Sequence, residues 1–238
     1  MPRPRLGFHT WPAAVYAIGD VHGCLDQLLE LEAKIVADAA GIEGEKWLVT
    51  VGDHIDRGPS SAGVIDHLRR PPPAAFRRFS LLGNHEAMML HFLANPDPAH
   101  YWLDEGGTET LQSFGIDPFT ETGLYERPRD RLPRAAIDFI EALPVSLALP
   151  GWLFVHAGIR PGIPLAEQTD EDMIWIRSPF LSAQFTGGLR IVHGHTPGRD
   201  IVVTPHRIDI DTHCYHSGKL SAVRVTPDGA THFLSVQL

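Results

Sequence analysis

Six side chains with the chemistry of metal ligands follow short apolar segments of the chain. Asp20 and His22 lie two residues apart, so in an extended segment both would project to the same side and could meet one cation. Asp53 has two carboxylate oxygens that could bridge two cations. The full set of predicted ligands is Asp20, His22, Asp53, Asn84, His156 and His195. Oxygen and imidazole donors suit first-row divalent ions, so the sequence predicts a site for two divalent metal ions.

Three further side chains close to this set could act on a phosphate group. Two cations about 3.5–4 Å apart form a clamp for in-line displacement at phosphorus, and they lower the pKa of a water between them. We therefore predict direct attack by a bridging hydroxide. Arg57 has the forked guanidinium that binds phosphate through two hydrogen bonds. His85 could protonate the departing oxygen, and Asp56 could orient the His85 ring.

The ligand candidates stand at the ends of segments with the composition of β-strands. These segments are rich in β-branched and aromatic residues and cover 15–18, 47–51, 79–82, 152–155 and 189–192. Helical patterns between them cover 25–39, 60–70 and 86–94. Alternation of strands and helices predicts an α/β layered core, with the polar loops at the carboxyl ends of the strands.

The other parts of the chain lack these motifs. Residues 95–145 are predicted to form a mostly helical insertion or cap near the site. After His195, strand-like runs at 201–204, 208–210, 220–225 and 232–236 predict a meander that completes a second sheet. The length of 238 residues suits one domain, which we expect to cover residues 1–238.

Charge and cysteine content exclude several classes of protein. The net charge of −9 argues against a nucleic-acid partner, because binding a nucleic-acid backbone needs clustered Lys and Arg. Cys24 and Cys214 lie far apart in the sequence without CxxC spacing, which fits a reducing compartment. No run approaches the about 18 apolar residues of a membrane span, and the first residues do not read as a signal peptide. We therefore expect a cytoplasmic protein that does not bind membranes.

The motifs taken together resemble those of a known family. The five motifs, in chain order, are GDVHG, GDHIDRG, GNHE, HAG and HGHTP. They are similar to the signature of the metal-dependent serine/threonine phosphoprotein phosphatases, within the calcineurin-like phosphoesterase superfamily. The bacterial and phage branch, which includes the lambda phage protein phosphatase, looks most similar. The resemblance extends from residue 15 to about residue 225 and also includes the stretch WLDEGGTETLQSFG at 102–115.

This resemblance implies a fold and a role for each candidate residue. The fold is the calcineurin-like metallophosphoesterase sandwich of two mixed β-sheets flanked by helices. By resemblance, Asp20 and His22 bind the first ion, Asp53 bridges, and Asn84, His156 and His195 bind the second. His85 with Asp56 would be the proton donor, and Arg57 would bind phosphate together with Arg177 of the segment IWIRSPF. The bacterial relatives lead us to expect Mn²⁺, with Fe or Zn as alternatives.

Two positions depart from the family pattern. His213 stands where the family often has a glycine after Asp-Thr. His193 stands two residues before the last ligand, where the animal enzymes carry an arginine. Both departures concern substrate preference more than the metal ligands.

Three hypotheses for the function follow. The first is a phosphomonoesterase, a serine/threonine protein phosphatase, and the triplet Asp56-Arg57-Gly58 favours it. The second is a dinucleoside polyphosphate (diadenosine tetraphosphate) hydrolase that uses the same two-metal site. The third is a metal-bound binding module without turnover, against which the presence of His85 and Arg57 speaks. The substrate would be a phosphorylated protein or a small phosphate ester. Preference for Ser/Thr, Tyr or nucleotides stays open, as does the oligomeric state.

Overall fold

The computed structural model describes residues 3–184 and 187–238, and its strands form two sheets. The strands are β1 Arg5–Gly7, β2 Ala14–Ile18, β3 Lys46–Thr50, β4 Phe76–Ser80, β5 Ser146–Leu149, β6 Trp152–Val155, β7 Arg190–His193, β8 Val202–Val203, β9 Arg207–Asp209, β10 Lys219–Val225 and β11 Thr231–Gln237. One sheet has six strands in the order β1-β5-β6-β7-β9-β8. The other has five in the order β11-β10-β2-β3-β4. Both sheets mix parallel and antiparallel pairs.

Helices connect and flank the sheets. They are α1 Leu25–Asp38, α2 Ser61–Arg69, α3 Asn84–Ala94, α4 Thr108–Ser113, α5 Pro128–Arg131, α6 Arg134–Glu141, α7 Asp170–Trp175 and α8 Cys214–Ser217, with a π-helical turn at Leu103–Gly107 before α4. The predicted fold class, two mixed sheets flanked by helices with a mostly helical insertion, is confirmed. Helix α3 begins two residues earlier than predicted, so Asn84 and His85 form its first turn.

Among residues 3–184 and 187–238, four apolar clusters hold the layers together. The first two clusters lie on opposite faces of the five-stranded sheet, because successive residues of β2 and β3 point to opposite sides. Tyr16 and Leu48 face helices α1 and α2 in one cluster, and Val15 and Trp47 face the other sheet in the second cluster. A third cluster lies under α7 on the outer face of the six-stranded sheet and includes Met173. The fourth packs the 102–140 segment against α3. Burial of this much apolar surface is the main force that holds the loops of the site in place.

The prediction that the tail forms a single meander in a second sheet is wrong. Strands β8 and β9 pair with each other and join the six-stranded sheet beside β7. Strands β10 and β11 form a hairpin that joins the five-stranded sheet beside β2. Apolar alternation identifies a strand but does not identify its neighbour, because pairing depends on contacts far apart in sequence. In the described residues, no helix has the length and apolarity needed to cross a membrane.

Candidate metal centre

The carboxyl ends of five strands bring the predicted ligands to one edge of the sandwich. Strands β2, β3 and β4 run parallel in one sheet, as do β6 and β7 in the other. Asp20, Asp53 and Asn84 follow the first three strands, and His156 and His195 follow the other two. Because parallel strands end at the same edge, residues up to 175 positions apart come into hydrogen-bond contact there, such as Asp20 and His195.

In the described part of the chain, two groups of side chains could each hold a metal ion, and they share Asp53. One group is His22, Asp53 and His85, and the other is Asp53, His156 and His195; within each group the ligand atoms lie within 4.8 Å of one another. The Asp53 Oδ2 atom lies 3.6 Å from His22 Nε2 and 3.4 Å from His156 Nε2. This position is the one that a bridging carboxylate would need. The first group contains His85, which the sequence assigned to proton transfer.

Asn84 and Asp20 complete the arrangement. The Asn84 Oδ1 atom lies 2.8 Å from His156 Nε2 and 2.9 Å from His195 Nδ1. These three candidate metal-ligand atoms therefore converge. The Asp20 Oδ2 atom accepts a hydrogen bond from the backbone N–H of His195 at 3.0 Å. Among the described residues, no hydrogen-bond donor reaches the buried Asp20 Oδ1 atom, and the negative charge of Asp211 acts on the same carboxylate. A buried carboxylate oxygen is costly in that state, and a cation would offset the cost.

Backbone carbonyls orient the imidazole rings. His22 Nδ1 lies 2.9 Å from Ile55 O, and His156 Nδ1 lies 3.2 Å from Val51 O. His195 Nε2 lies 3.2 Å from Trp175 O. A ring that donates its N–H to a carbonyl presents its other nitrogen as a lone pair, which is the form that binds a metal.

Burial dominates the electrostatics of the centre. It lowers the pKa of His22 to about 3, with the nearby His85 as the next cause, and the pKa of His195 to about 4, with Arg177 as the next cause. The rings are therefore neutral at pH 7. Burial also raises the pKa of Asp20 and Asp53 well above the usual range. Bound cations would reverse that shift, because they favour the ionised carboxylates.

Backbone strain is concentrated at this centre. In the described part of the chain, the non-glycine residues with positive φ are His22, Asp53, Asp56, Arg57, Ala75, His195 and His213. All but Ala75 belong to the candidate site or line its cavity. Such conformations cost about 1–3 kcal/mol each and persist where the surrounding structure enforces them, typically at functional sites. His213 takes a left-handed conformation at the position where the family often has glycine, the residue that adopts it most easily.

Two glycines allow the carboxylates to approach the backbone. A Cβ atom at position 194 would overlap Oδ1 of Asp20, and a Cβ atom at position 83 would overlap Oδ1 of Asp53. Both glycines therefore leave room that any other residue would fill.

The insertion holds the Asp56–His85 pair. The Asp56 Oδ2 atom lies 2.7 Å from His85 Nδ1 and accepts a hydrogen bond from Trp102 Nε1 at 2.8 Å. Thr110 Oγ1 donates to Asp56 Oδ1 at 2.6 Å. Burial raises the pKa of Asp56, and the hydrogen bonds from Thr110 and Trp102 oppose that rise. Trp102 and Thr110 belong to the motif noticed in the sequence, but their role could not be read from it.

Sequence reasoning also missed the role of Glu86. Its buried carboxylate accepts hydrogen bonds from four backbone N–H groups, those of Gly83, Asp53, His54 and Ile55. Burial would raise the pKa of Glu86, but the His54 ring and these N–H groups lower it to about 2. The available signal was the fourth letter of GNHE, an acid in the first turn of a helix, which is a capping position.

One cavity of about 380 Å³ opens onto the centre. Both predicted phosphate-binding arginines line it, together with His85 and most of the ligand candidates. Arg57 forms an ion pair with Glu105, and its guanidinium lies 5.7 Å from the centre of the Tyr215 ring. Arg177 donates a hydrogen bond to the backbone carbonyl of His195 at 3.1 Å.

The remaining site histidines differ in placement. His213 lines the cavity, and its backbone N–H donates a hydrogen bond to the Asp211 carboxylate at 2.8 Å. His193 is fully buried outside the cavity lining, with its ring 5.1 Å from Phe180 and its Nε2 3.2 Å from Arg207 Nη1.

The fold and the site both agree with one protein family. The family model for calcineurin-like phosphoesterases matches residues 13–228, so the chain belongs to the calcineurin-like phosphoesterases. This membership confirms the superfamily that the motifs suggested and makes the chain a phosphoesterase hydrolase. Its His and Asp groups could bind the two metal ions typical of such a site.

The names of similar proteins refer to more than one class of substrate. The bis(5'-nucleosyl)-tetraphosphatase PrpE (asymmetrical) of Oceanobacillus iheyensis is 26% identical over 230 residues, covering 87% of this chain and 86% of the relative. A solved structure provisionally described as a diadenosine tetraphosphatase has a TM-score of 0.69 and 23% identity, over 97% of this chain and 96% of that one. The structure of the cold-active protein tyrosine phosphatase of a Shewanella species has a TM-score of 0.62 and 19% identity, and the match covers 98% of this chain and 83% of that one. The two solved structures establish a shared fold.

Proposed function

We propose that this chain is a metal-dependent hydrolase of dinucleoside polyphosphates, the second of the three hypotheses. The observation that carries the proposal is the presence of one arginine beside each ligand group. Arg57 lies on the His22 side and Arg177 on the His195 side of a single open cavity. Positive charge at both ends suits a chain of several phosphates. The Oceanobacillus relative, which matches across 87% of this chain, supports the same substrate class.

The metal ions would be held by the six predicted ligands. Neutral imidazoles, carboxylates and a carboxamide oxygen form a donor set that suits Mn²⁺, and Fe or Zn are alternatives. When bound, two divalent ions would supply positive charge against the phosphoryl oxygens and lower the pKa of a water molecule. The unpartnered Oδ1 atom of Asp20 supports such an occupant.

The other side chains would bind the substrate and manage a proton. Arg57 and Arg177 would bind phosphate oxygens through their N–H groups. His85 would be protonated on both nitrogens before the step and would give its Nε2 proton to the departing oxygen. The ring would then be neutral and keep the Nδ1–H whose hydrogen bond Asp56 accepts.

A phosphoprotein phosphatase is the second candidate. The observation that favours it is the Asp56–His85 pair itself, since a positioned proton donor matters most for a poor leaving group such as a serine alkoxide. A phosphoanhydride has a better leaving group and depends less on that proton.

Substrate competition with added Mn²⁺ separates the two. We expect kcat/KM for diadenosine tetraphosphate to exceed that for phosphoserine, phosphothreonine and phosphotyrosine peptides. Chromatography of the products would show either AMP with ATP or two ADP, and so identify the bond that is cleaved.

Variants control for contaminating activity. Asp20→Asn should abolish turnover, whereas Asp130→Asn, an exposed aspartate away from the cavity, should not change it. Preference for a phosphopeptide would contradict the proposal and support the second candidate. Absence of any metal-dependent hydrolysis, even of p-nitrophenyl phosphate, would instead favour a binding module.

A further inference from the structure

Two half-exposed aromatic side chains stand beside the metal centre, one next to each phosphate-binding arginine. They are Trp175 and Tyr215, each 40% exposed, and both line the cavity. We infer that each ring is a stacking surface for one nucleobase of a dinucleoside polyphosphate. The inference rests on the proposed function and adds to it the subsites that would recognise the two nucleosides.

Trp175 is fixed beside the group that contains His195. It is the last residue of α7, and its carbonyl oxygen lies 3.2 Å from His195 Nε2. The two rings are 6.2 Å apart, with their planes at 87°. The guanidinium of Arg177, two residues later, donates a hydrogen bond to the backbone carbonyl of His195. An aromatic surface and a positive charge are therefore held side by side at this end of the centre.

Tyr215 occupies the equivalent place beside the group that contains His22. Its ring lies 5.1 Å from the ring of His22 and 4.7 Å from that of His213, both nearly perpendicular to it. The Arg57 guanidinium lies 5.7 Å from the ring centre. The same pairing of an aromatic surface with an arginine thus recurs at the opposite ligand group.

This repeated pairing matches the chemistry of the substrate class. A dinucleoside polyphosphate has a charged central chain and an aromatic base at each end, so it needs cations in the middle and π surfaces on both sides. Scattered exposed aromatic residues need no explanation, but two that line one cavity beside two arginines do. Tyr101, a third aromatic of the cavity, is already stacked on His100 at 4.6 Å and is not included.

Binding of two ligands that differ only in the base tests the inference without turnover. Calorimetric titration of the Mn²⁺-loaded protein would compare AMP with ribose 5-phosphate. We expect AMP to bind about tenfold more tightly, because stacking of one base on an aromatic side chain has about this effect. The Trp175→Ala/Tyr215→Ala double variant should lose that preference while binding ribose 5-phosphate as before.

Kinetics would then assign the two rings separately. Trp175→Ala and Tyr215→Ala should each lower kcat/KM for diadenosine tetraphosphate about tenfold, mainly through KM. Trp175→Phe and Tyr215→Phe keep a ring and should stay within about threefold of the parent protein. Phe119→Ala removes an exposed aromatic outside the cavity and is the matched control.

Several results would overturn the inference. They are equal binding of AMP and ribose 5-phosphate, a base preference that survives in the double variant, or a variant that weakens both ligands alike. Failure of the proposed function looks different. In that case diadenosine tetraphosphate is not cleaved, yet the base preference is present and depends on the two rings.

Discussion

The Asp56 carboxylate lies 2.7 Å from Nδ1 of His85, and this contact joins the metal centre to the insertion. His85 lies in the first turn of helix α3, which follows β4, whereas the groups that hold the Asp56 carboxylate come from the 102–110 segment. The insertion thus takes part in setting the orientation of a candidate proton donor, although it contributes none of the six ligands.

His85→Asn should lower turnover by an amount that depends on the leaving group. For a phosphoserine peptide, loss of the proton donor should reduce kcat by roughly 10²–10⁴-fold. For diadenosine tetraphosphate the loss should be much smaller, because the departing phosphate needs less protonation. The measurement is kcat for both substrates at saturating Mn²⁺, with metal content determined on the same samples. Equal losses for the two substrates would argue against proton transfer by His85.

Thr110→Val should reduce turnover without touching any ligand. Thr110 Oγ1 donates to Asp56 Oδ1 at 2.6 Å, and valine has the same shape without the hydroxyl. We expect kcat to fall roughly tenfold to a hundredfold through misplacement of the Asp56–His85 pair, with KM and metal content unchanged. Thr108→Val on the same helix is the control, because its hydroxyl donates to Leu103 O instead. A fall in metal content would show a different role for Thr110.

Gly194→Ala should weaken metal binding. The added Cβ would overlap Oδ1 of Asp20 and displace that carboxylate. Disturbance of a ligand's support typically costs roughly 10–100-fold in metal affinity, so activation should require correspondingly more Mn²⁺. Titration of activity against Mn²⁺ measures this shift. Gly41→Ala, where an added Cβ meets nothing within 4 Å, should leave the curve unchanged; an unshifted curve for the 194 variant would contradict the placement of Asp20.

Glu86→Gln should destabilise the whole fold. Each Glu86 oxygen accepts backbone N–H groups, and a glutamine amide would present a donor where an acceptor is needed. Loss of hydrogen bonds to a buried charged group should lower the free energy of unfolding by about 3 kcal/mol. Urea unfolding measures the change, with the exposed Glu43→Gln as control. Equal stability of the two variants would show that the loop is held by other contacts.

Much of the fold and the assembly of the site were predictable because the relevant signals are local. Short apolar strands followed by polar, glycine-containing loops identified the ends of β2, β3, β4, β6 and β7, where the ligand candidates meet. Ordering of parallel strands then follows from general rules of α/β proteins. We could expect Asp53 and His156 to lie close together, because both follow strands whose carboxyl ends meet at the same edge.

The supporting contacts were not predictable, because they depend on partners distant in sequence. Thr110 contacts Asp56 from 54 residues away, and Glu86 contacts His54 from 32 residues away. No periodic pattern indicates such pairs. The prediction of a single meander in the tail was wrong for the same reason, because β9 and β10 have similar apolar alternation but pair with strands of different sheets. The placement of Trp175 and Tyr215 beside the arginines likewise required the three-dimensional structure.

Metal stoichiometry of the Asp53→Asn variant tests the central claim most directly. Asp53 belongs to both ligand groups, so the loss of its charge should weaken both sites at once. The parent protein and Asp130→Asn should each retain two Mn²⁺ ions per chain after dialysis, measured by mass spectrometry of the metal, whereas Asp53→Asn should retain fewer than one. Two tightly held ions in Asp53→Asn, or none in the parent protein, would contradict a two-metal centre built around this carboxylate.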